Sequence, residues 1–236
     1  MFYSAPDFIA GSNPLELTLG VTLAVLGAAL LHASWNALIK SSRDVQLDTA
    51  LVAFCGSIAT VPFLPFVAPP EAAAWPWIGA SVVIHIGYFA ALVGAYRAGD
   101  LSHGYPIMRG LAPLLVAASA LAWFGEAPSA TVWAGIALIS GGVLSLGVAG
   151  GHVSRAATFW AAGNAAIIAL YTLVDASGVR AAGGAERYVV WLSLFMGMPY
   201  AVILFARRRG LLKEGDVRRR VAGAVAVAAG VVALKI

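Results

Sequence analysis

Residues 30–44 read LLHASWNALIKSSRD and close the first long apolar run of the chain. They carry the only polar side chains that run contains after Thr22. Read as a helix, His32, Asn36 and Lys40 recur every fourth residue and stack on one face, with Trp35 beside them. One polar stripe on an otherwise apolar helix points that face at something other than lipid.

The composition supports a membrane setting. Of 236 residues 61% are hydrophobic and 11% charged, and the mean hydropathy is +0.86. Soluble domains carry about 25% charged residues, so a water-facing exterior is hard to build from this chain. The apolar runs are continuous and do not alternate with a period of two, which favours helices over a barrel. The expected class is an all-α integral membrane protein, because helices satisfy the backbone inside lipid.

The net charge of +4 does not point to nucleic acid: seven of the fifteen Lys and Arg fall in 207–220, with no aromatic residues among them. Cys55 is the single cysteine, so neither a disulfide frame nor a thiolate metal site is available. The first residues, MFYSAPDFIAGSNPLEL, lack a basic stretch, and the first run is expected to remain in the mature protein.

At about 20 apolar residues per span, the chain divides into runs at 15–39, 47–67, 75–96, 105–124, 131–148, 157–174 and 188–206. A last run covers 221–234. Pro62 and Pro65 break the second near its end, and Trp75 and Trp77 suit the interfacial belt at the start of the third. The fourth begins after a connector at 97–102 and holds Pro106 in its first turn, with Pro113 within. A polar loop is expected over 175–187. The last run reaches only about 21 Å, short of a hydrocarbon core of about 30 Å. On the side following the first run, the loops hold Lys40, Arg43, Arg97, Arg155 and the cluster of seven; the other side holds Arg180 and Arg187. That bias places the N-terminus outside and 207–220 in the cytoplasm.

The phrase LLHASWNALIK (30–40), followed by GDLSHGYPIMRGLAPLLVAASALAWFGEAPSATVWAGIALISGGVLSL (99–146), resembles the EamA family of the drug/metabolite transporter superfamily. The first phrase is similar to the end of that family's first helix. The second is similar to its fourth and fifth helices, with an Arg-Gly-x-x-Pro step and a Gly-Glu that ends helix four. ALYTLVDASGVR (169–180) and YVVWLSLF (188–195) resemble the start of its second repeat. The resemblance implies two inverted five-helix repeats around a central cavity, with both termini in the cytoplasm, which disagrees with the loop bias. It implies a tail at 1–14, a first repeat at 15–149 and an incomplete second repeat at 156–236. About eight spans would then stand where the family has ten. RRRVAGAVAVAAGVVALKI (218–236) resembles the family's tenth helix; otherwise the chain stops during the eighth.

Six residues are candidates for substrate binding: His32, Trp35, Asn36, Tyr105, Arg109 and Tyr171. His32, Trp35 and Asn36 would line the cavity, the alternative being packing glue between helices. Lys40, at a helix end, leans toward snorkelling. Tyr105 and Arg109 share a face, and Arg109, about one turn inside its span, suits recognition of an anion. Its alternatives are a headgroup contact or a pair with Asp100. Gly110 and Pro113 suit close approach and bending. His85 is expected to be an interhelical hydrogen-bond partner rather than a proton carrier. Tyr171 and Asp175 repeat the spacing of His32 and Asn36, and an inverted repeat would set them opposite Trp35 and Asn36. Asp175, at a helix end, reads as a solvated carboxylate, with proton coupling if it were buried. Glu126 reads as solvated or structural.

No protease, esterase, P-loop or dinucleotide signature is present, and no His or acid pair has metal-ligand spacing, so neither enzyme activity, metal nor cofactor is expected. The expected function is a secondary transporter or exporter of small polar metabolites, amino acids among them, in the inner membrane. The alternative is a non-transporting remnant or partner subunit that needs a second chain, for instance as a homodimer, to close its cavity.

Overall fold

Long apolar runs become helices because a backbone removed from water pairs fully only with itself. The computed structural model describes residues 22–23, 26–27, 29–30, 33–34, 39, 44–99, 101–125, 127–149 and 154–208. Among these the regular structure is helical throughout. Helix α1 spans Val45–Thr60, α2 Trp75–Ala98, α3 Leu101–Phe124, α4 Ala130–Ala149, α5 Arg155–Ala181, α6 Ala185–Met196 and α7 Met198–Arg207. Six segments are long and apolar enough to cross a membrane: Val45–Phe66, Ala72–Ala98, Ser102–Phe124, Ala130–Gly147, Arg155–Ala181 and Ala185–Arg207. The runs at 15–39 and 221–234 lie largely or wholly outside the described residues.

Helix α5 is the element the others gather around, packing along both α2 and α3. Its inner face carries Ala157, Ala161, Ala165 and Ala169 at four-residue intervals, the first three with no exposed surface. Small residues at that spacing let helix backbones approach closely. A Cβ added to Gly99, just after α2, would come 2.6 Å from the Ala157 methyl. The α2–α5 pair is antiparallel and tied at both ends. Ser154 Oγ caps α5 and donates to the Ala98 carbonyl at 3.0 Å, while the Glu71 N–H donates to the Ala182 carbonyl at 3.2 Å. Helix α4 packs mainly on α3, and α1 on α6, α7 and α2. Outward side chains such as Val83, Leu138, Leu146 and Phe159 are exposed and apolar, as a lipid-facing surface requires.

Two connections differ from the sequence-based expectation. The connector at 97–102 shrinks to the neighbourhood of Gly99, because α3 already begins at Leu101 and Pro106 sits inside it. The polar loop over 175–187 is mostly helix: α5 runs on to Ala181, and the turn to α6 needs only 182–184, where Gly183 has φ +74°. Polar residues did not end that helix because they find partners along it. Arg180 lies over the Phe124 ring at 4.1 Å, and Asp175 accepts from Tyr188.

The run at 188–206 begins at Ala185 and breaks at Gly197. There the Ser57 hydroxyl of α1 inserts into one rung of the helical ladder, accepting from the Gly197 N–H at 3.1 Å and donating to the Ser193 carbonyl at 3.0 Å. Pro199 follows, with no N–H to continue the ladder. Gly197 also lies directly against the Ala53 carbonyl. The second run likewise tightens into a 3-10 turn, Val61–Phe66, at its two prolines.

At one end of the bundle Asp44 caps α1 by accepting from the Leu47 N–H at 3.1 Å and pairs with Arg208. Gln46 Oε1 joins the same knot, accepting from Arg208 at 3.0 Å and from Arg97 at 3.4 Å. Arg97 and Arg208 therefore stand at one end of the bundle, as their shared loop side predicts.

Gly197→Ala places a methyl against backbone that cannot give way, so the variant is expected to lose several degrees in thermal unfolding in detergent. Gly56→Ala, with open space around its Cβ, serves as the tolerated control. Burial raises the Asp44 carboxyl, but the Leu47 N–H and the Arg208 and Arg97 charges outweigh it and hold the group below its ordinary range. The stability it contributes is then complete at neutral pH and is lost as the pH falls below about 4. Asp44→Ala should cost about 1 kcal/mol at pH 7. That cost should shrink step by step in unfolding curves taken at pH values further and further below the ordinary aspartate value of about 4.

Candidate functional site

Helix α3 sets Tyr105 and Arg109 one turn apart on one face, as their spacing predicts. The Arg109 guanidinium lies over the Tyr105 ring, 5.5 Å from its centroid. Pro113 supplies no N–H to the ladder one turn further on. A Cβ on Gly110 would come 2.7 Å from Leu144 Cγ, so this glycine lets α4 close against α3 beside the arginine.

Two more helices bring rings to the same place. Tyr88 of α2 and Tyr171 of α5 are, with Tyr105, the phenols that interact electrostatically with Arg109. Tyr171 stacks on His85, with centroids 4.4 Å apart and planes at 28°, and meets Tyr88 edge-on at 5.8 Å. Ala112, Ala165 and Ile168 form the packed floor against which Tyr88 and Tyr171 rest. Arg109, Tyr88, Tyr105 and Tyr171 are each half-buried, whereas His85 is buried.

The His85 Nδ1 lies 2.8 Å from the Ser81 carbonyl and 3.2 Å from Ser81 Oγ. A carbonyl only accepts, so Nδ1 carries the hydrogen. These bonds run within α2, and it is the face of the ring that crosses to another helix. Asp175 departs further from expectation. It lies inside α5, half-buried, and accepts from Tyr188 Oη at 2.9 Å rather than being solvated at a helix end. Gly178, one turn from the carboxylate's helix position, leaves the space that the Tyr188 ring fills.

Tyr105, Arg109 and Tyr171 are thus brought together, joined by His85 and Tyr88. His32, Trp35, Asn36, Lys40, Asp100 and Glu126 lie outside the described residues. Ile39, at the end of the first run, is buried against Leu92, Ala95, Tyr96 and Met108.

Two polar residues that the sequence reading passed over hold the surrounding helices. Asn164 of α5 is sealed from solvent and donates to the Tyr88 carbonyl at 3.0 Å, across the α2–α5 contact. His103 of α3 reaches the Gly147 carbonyl of α4 with Nδ1 and Thr158 Oγ1 of α5 with Nε2, both at 2.9 Å. Asn164 is a lone polar side chain in an apolar run, 159–170, which is itself a signal of an interior position, whereas His103 lies in the polar start of its helix.

Among the described residues the structure is all-helical with six membrane-length segments, and with a cation and four rings gathered between three helices, which fits a multi-pass membrane protein. Compared with family models, with curated proteins and with solved structures, the chain matches none.

His103→Ala removes the donor to the Gly147 carbonyl and should cost about 1–3 kcal/mol, read as a lower midpoint in thermal unfolding. Ser145→Ala, an exposed hydroxyl bonded only one turn back on its own helix, should stay within about 0.5 kcal/mol of the parent.

Proposed function

We propose that the chain is a secondary transporter that exports small polar metabolites, amino acids being the favoured class, across the cell membrane by alternating access. The observation that carries this reading is the Arg109 guanidinium set among Tyr88, Tyr105 and Tyr171 from three helices, with His85 stacked behind Tyr171. A guanidinium offers a planar fork of donors that matches a carboxylate or a phosphate. In surroundings of low dielectric each such bond is worth more than in water. The half-buried rings add stacking and hydroxyl contacts for the rest of a small molecule.

The resemblance to the EamA family is in keeping with this, and with it we propose about eight spans arranged as inverted repeats, the second shortened. Sites of such transporters lie near the midplane, between repeats. His32, Trp35 and Asn36 complete the proposed lining from the first run. For orientation we follow the Lys/Arg bias rather than the family's topology, so the basic end of the bundle, with Arg97 and Arg208, faces the cytoplasm.

Flux of radiolabelled amino acids in proteoliposomes tests the reading. Arg109→Gln should lower flux about tenfold or more, the effect of losing a charged hydrogen bond of roughly 1.5–3 kcal/mol. Trp35→Ala and Asn36→Ala should lower it as well. Flux unchanged in Arg109→Gln would reject the arginine as the recognising group, and unchanged flux in the other two would remove them from the lining.

A further inference from the structure

We propose that Asn164 reads the amino group of the substrate, its Oδ1 accepting from an ammonium whose carboxylate lies on Arg109. The assignment rests on the function proposed above and narrows its substrate to molecules that carry both groups.

The two ends of the Asn164 amide have different fates. Nδ2 donates to the Tyr88 carbonyl at 3.0 Å, across the α2–α5 contact. A carbonyl only accepts, so the amide nitrogen has to face it and Oδ1 points away. That oxygen is buried and has no hydrogen-bond partner among the described residues. Buried acceptors in native proteins are nearly always matched, and an unmatched one is costly. Other polar side chains of α5 escape that cost: Thr172 and Ser177 donate to carbonyls one turn back on their own helix. Three further buried atoms share the condition of Oδ1, namely Ser140 Oγ, Trp191 Nε1 and Tyr200 Oη. They sit on α4, α6 and α7, outside the three helices that build the arginine site. In Asn164 the nitrogen serves the scaffold, and the oxygen is left for a group that arrives.

Asn164 also stands at the height of Arg109. Helix α5 runs parallel to α3: Thr158 bonds to His103 toward one end, and Arg180 lies over Phe124 at the other. Six residues on from His103 comes Arg109, and six on from Thr158 comes Asn164. Equal rise per residue keeps the two level. Packing brackets them alike. Met108 and Ala161 belong to one packed group, against which Tyr88 and Tyr105 rest; Ala112 and Ala165 belong to the next, against which Tyr88 and Tyr171 rest. A cationic donor on α3 and a neutral acceptor on α5 therefore share one layer of the bundle with the three phenol rings.

An α-amino acid presents both complements on one carbon. Its carboxylate fits the guanidinium fork, and its ammonium, which only donates, fits an amide oxygen. A plain carboxylate brings no N–H and leaves Oδ1 unmatched, and sites built to bond a polar group reject analogues that lack it. The oxygen is covered in the arrangement described, so the amine reaches it in the rearranged states that alternating access supplies.

The test reads binding and flux separately on the full chain. In detergent, thermal unfolding followed across ligand concentrations gives a half-saturating concentration for each common amino acid and for its des-amino counterpart, the carboxylic acid of the same skeleton. The parent should favour the amino acid of the best-bound pair. Asn164→Ala should raise the half-saturating concentration for that amino acid about tenfold, the loss of a hydrogen bond to a charged group, and leave the des-amino acid unchanged. Asn164→Ser, whose hydroxyl would turn back to its own helix as that of Ser177 does, should give the same split if the alanine variant does not fold. Arg109→Gln, which removes the partner of the carboxylate, should weaken both ligands. Equal weakening of the pair by Asn164→Ala or Asn164→Ser, the result of mere damage to the α2–α5 contact, overturns the assignment. So does an unchanged preference in these variants, or a parent that favours no amino acid over its counterpart. Flux of the same labelled amino acid in proteoliposomes judges the transporter reading on its own. A parent that shows the binding pattern but moves no amino acid overturns that reading and leaves Asn164 in its role.

Discussion

The row of alanines at 157, 161, 165 and 169 sets how near α5 can come to α2 and α3, and the rest of the arrangement depends on that closeness. In lipid no gain comes from hiding apolar surface from water, so helices associate through tight packing and through polar contacts made at short range. Larger side chains along that row would push α5 outward. The Asn164 bond to the Tyr88 carbonyl and the stack of Tyr171 on His85 span only 3.0 Å and 4.4 Å. Neither would survive such a displacement. Small residues on one face thus decide where large rings on the neighbouring face meet.

The same constraint explains which features the sequence made legible. Membrane-length helices follow from hydropathy, and six of the expected runs correspond to them. Tyr105 and Arg109 were readable as a pair because both lie on one helix, where spacing fixes their relative direction. Tyr171 meeting His85 was not readable, since it depends on how α5 is turned about its axis toward α2. Helix ends failed for a related reason. Arg97, Asp175 and Arg180 look like loop residues in one dimension, yet each sits in a helix because Gln46, Tyr188 and Phe124 answer it from elsewhere in the chain. The break at Gly197 had a local sign in Gly-Met-Pro, but the hydroxyl that fills the broken rung comes from Ser57, 140 residues away.

Depth within the bundle separates polar groups that hold it together from those placed to do chemistry. Thr49, Ser57, Thr60 and Asn164 are at most 1% exposed, and each bonds to a backbone carbonyl. The three hydroxyls satisfy themselves against the scaffold, and Asn164 ties α5 to α2 through its Nδ2 while its Oδ1 has no partner among the described residues. Arg109, Tyr88, Tyr105 and Tyr171 differ: they are half-buried, they converge from three helices, and their mutual contacts involve ring faces and a cation. Holding a charge there is costly unless the surroundings solvate it, and phenols do so while remaining neutral themselves. Such a cluster keeps its positive character where water is scarce, which favours an anion arriving from outside.

His85 stands at the boundary between these two sets. It is buried like the structural residues and bonded within its own helix, yet its ring forms one wall of the cluster. Its Nδ1 is held by Ser81, and its face looks toward Tyr171. Because the Ser81 contacts hold the edge of the ring, α2 fixes the orientation in which its face meets Tyr171 of α5. In a bundle packed this tightly, a ring fixed in that way holds its neighbours in the cluster to one arrangement.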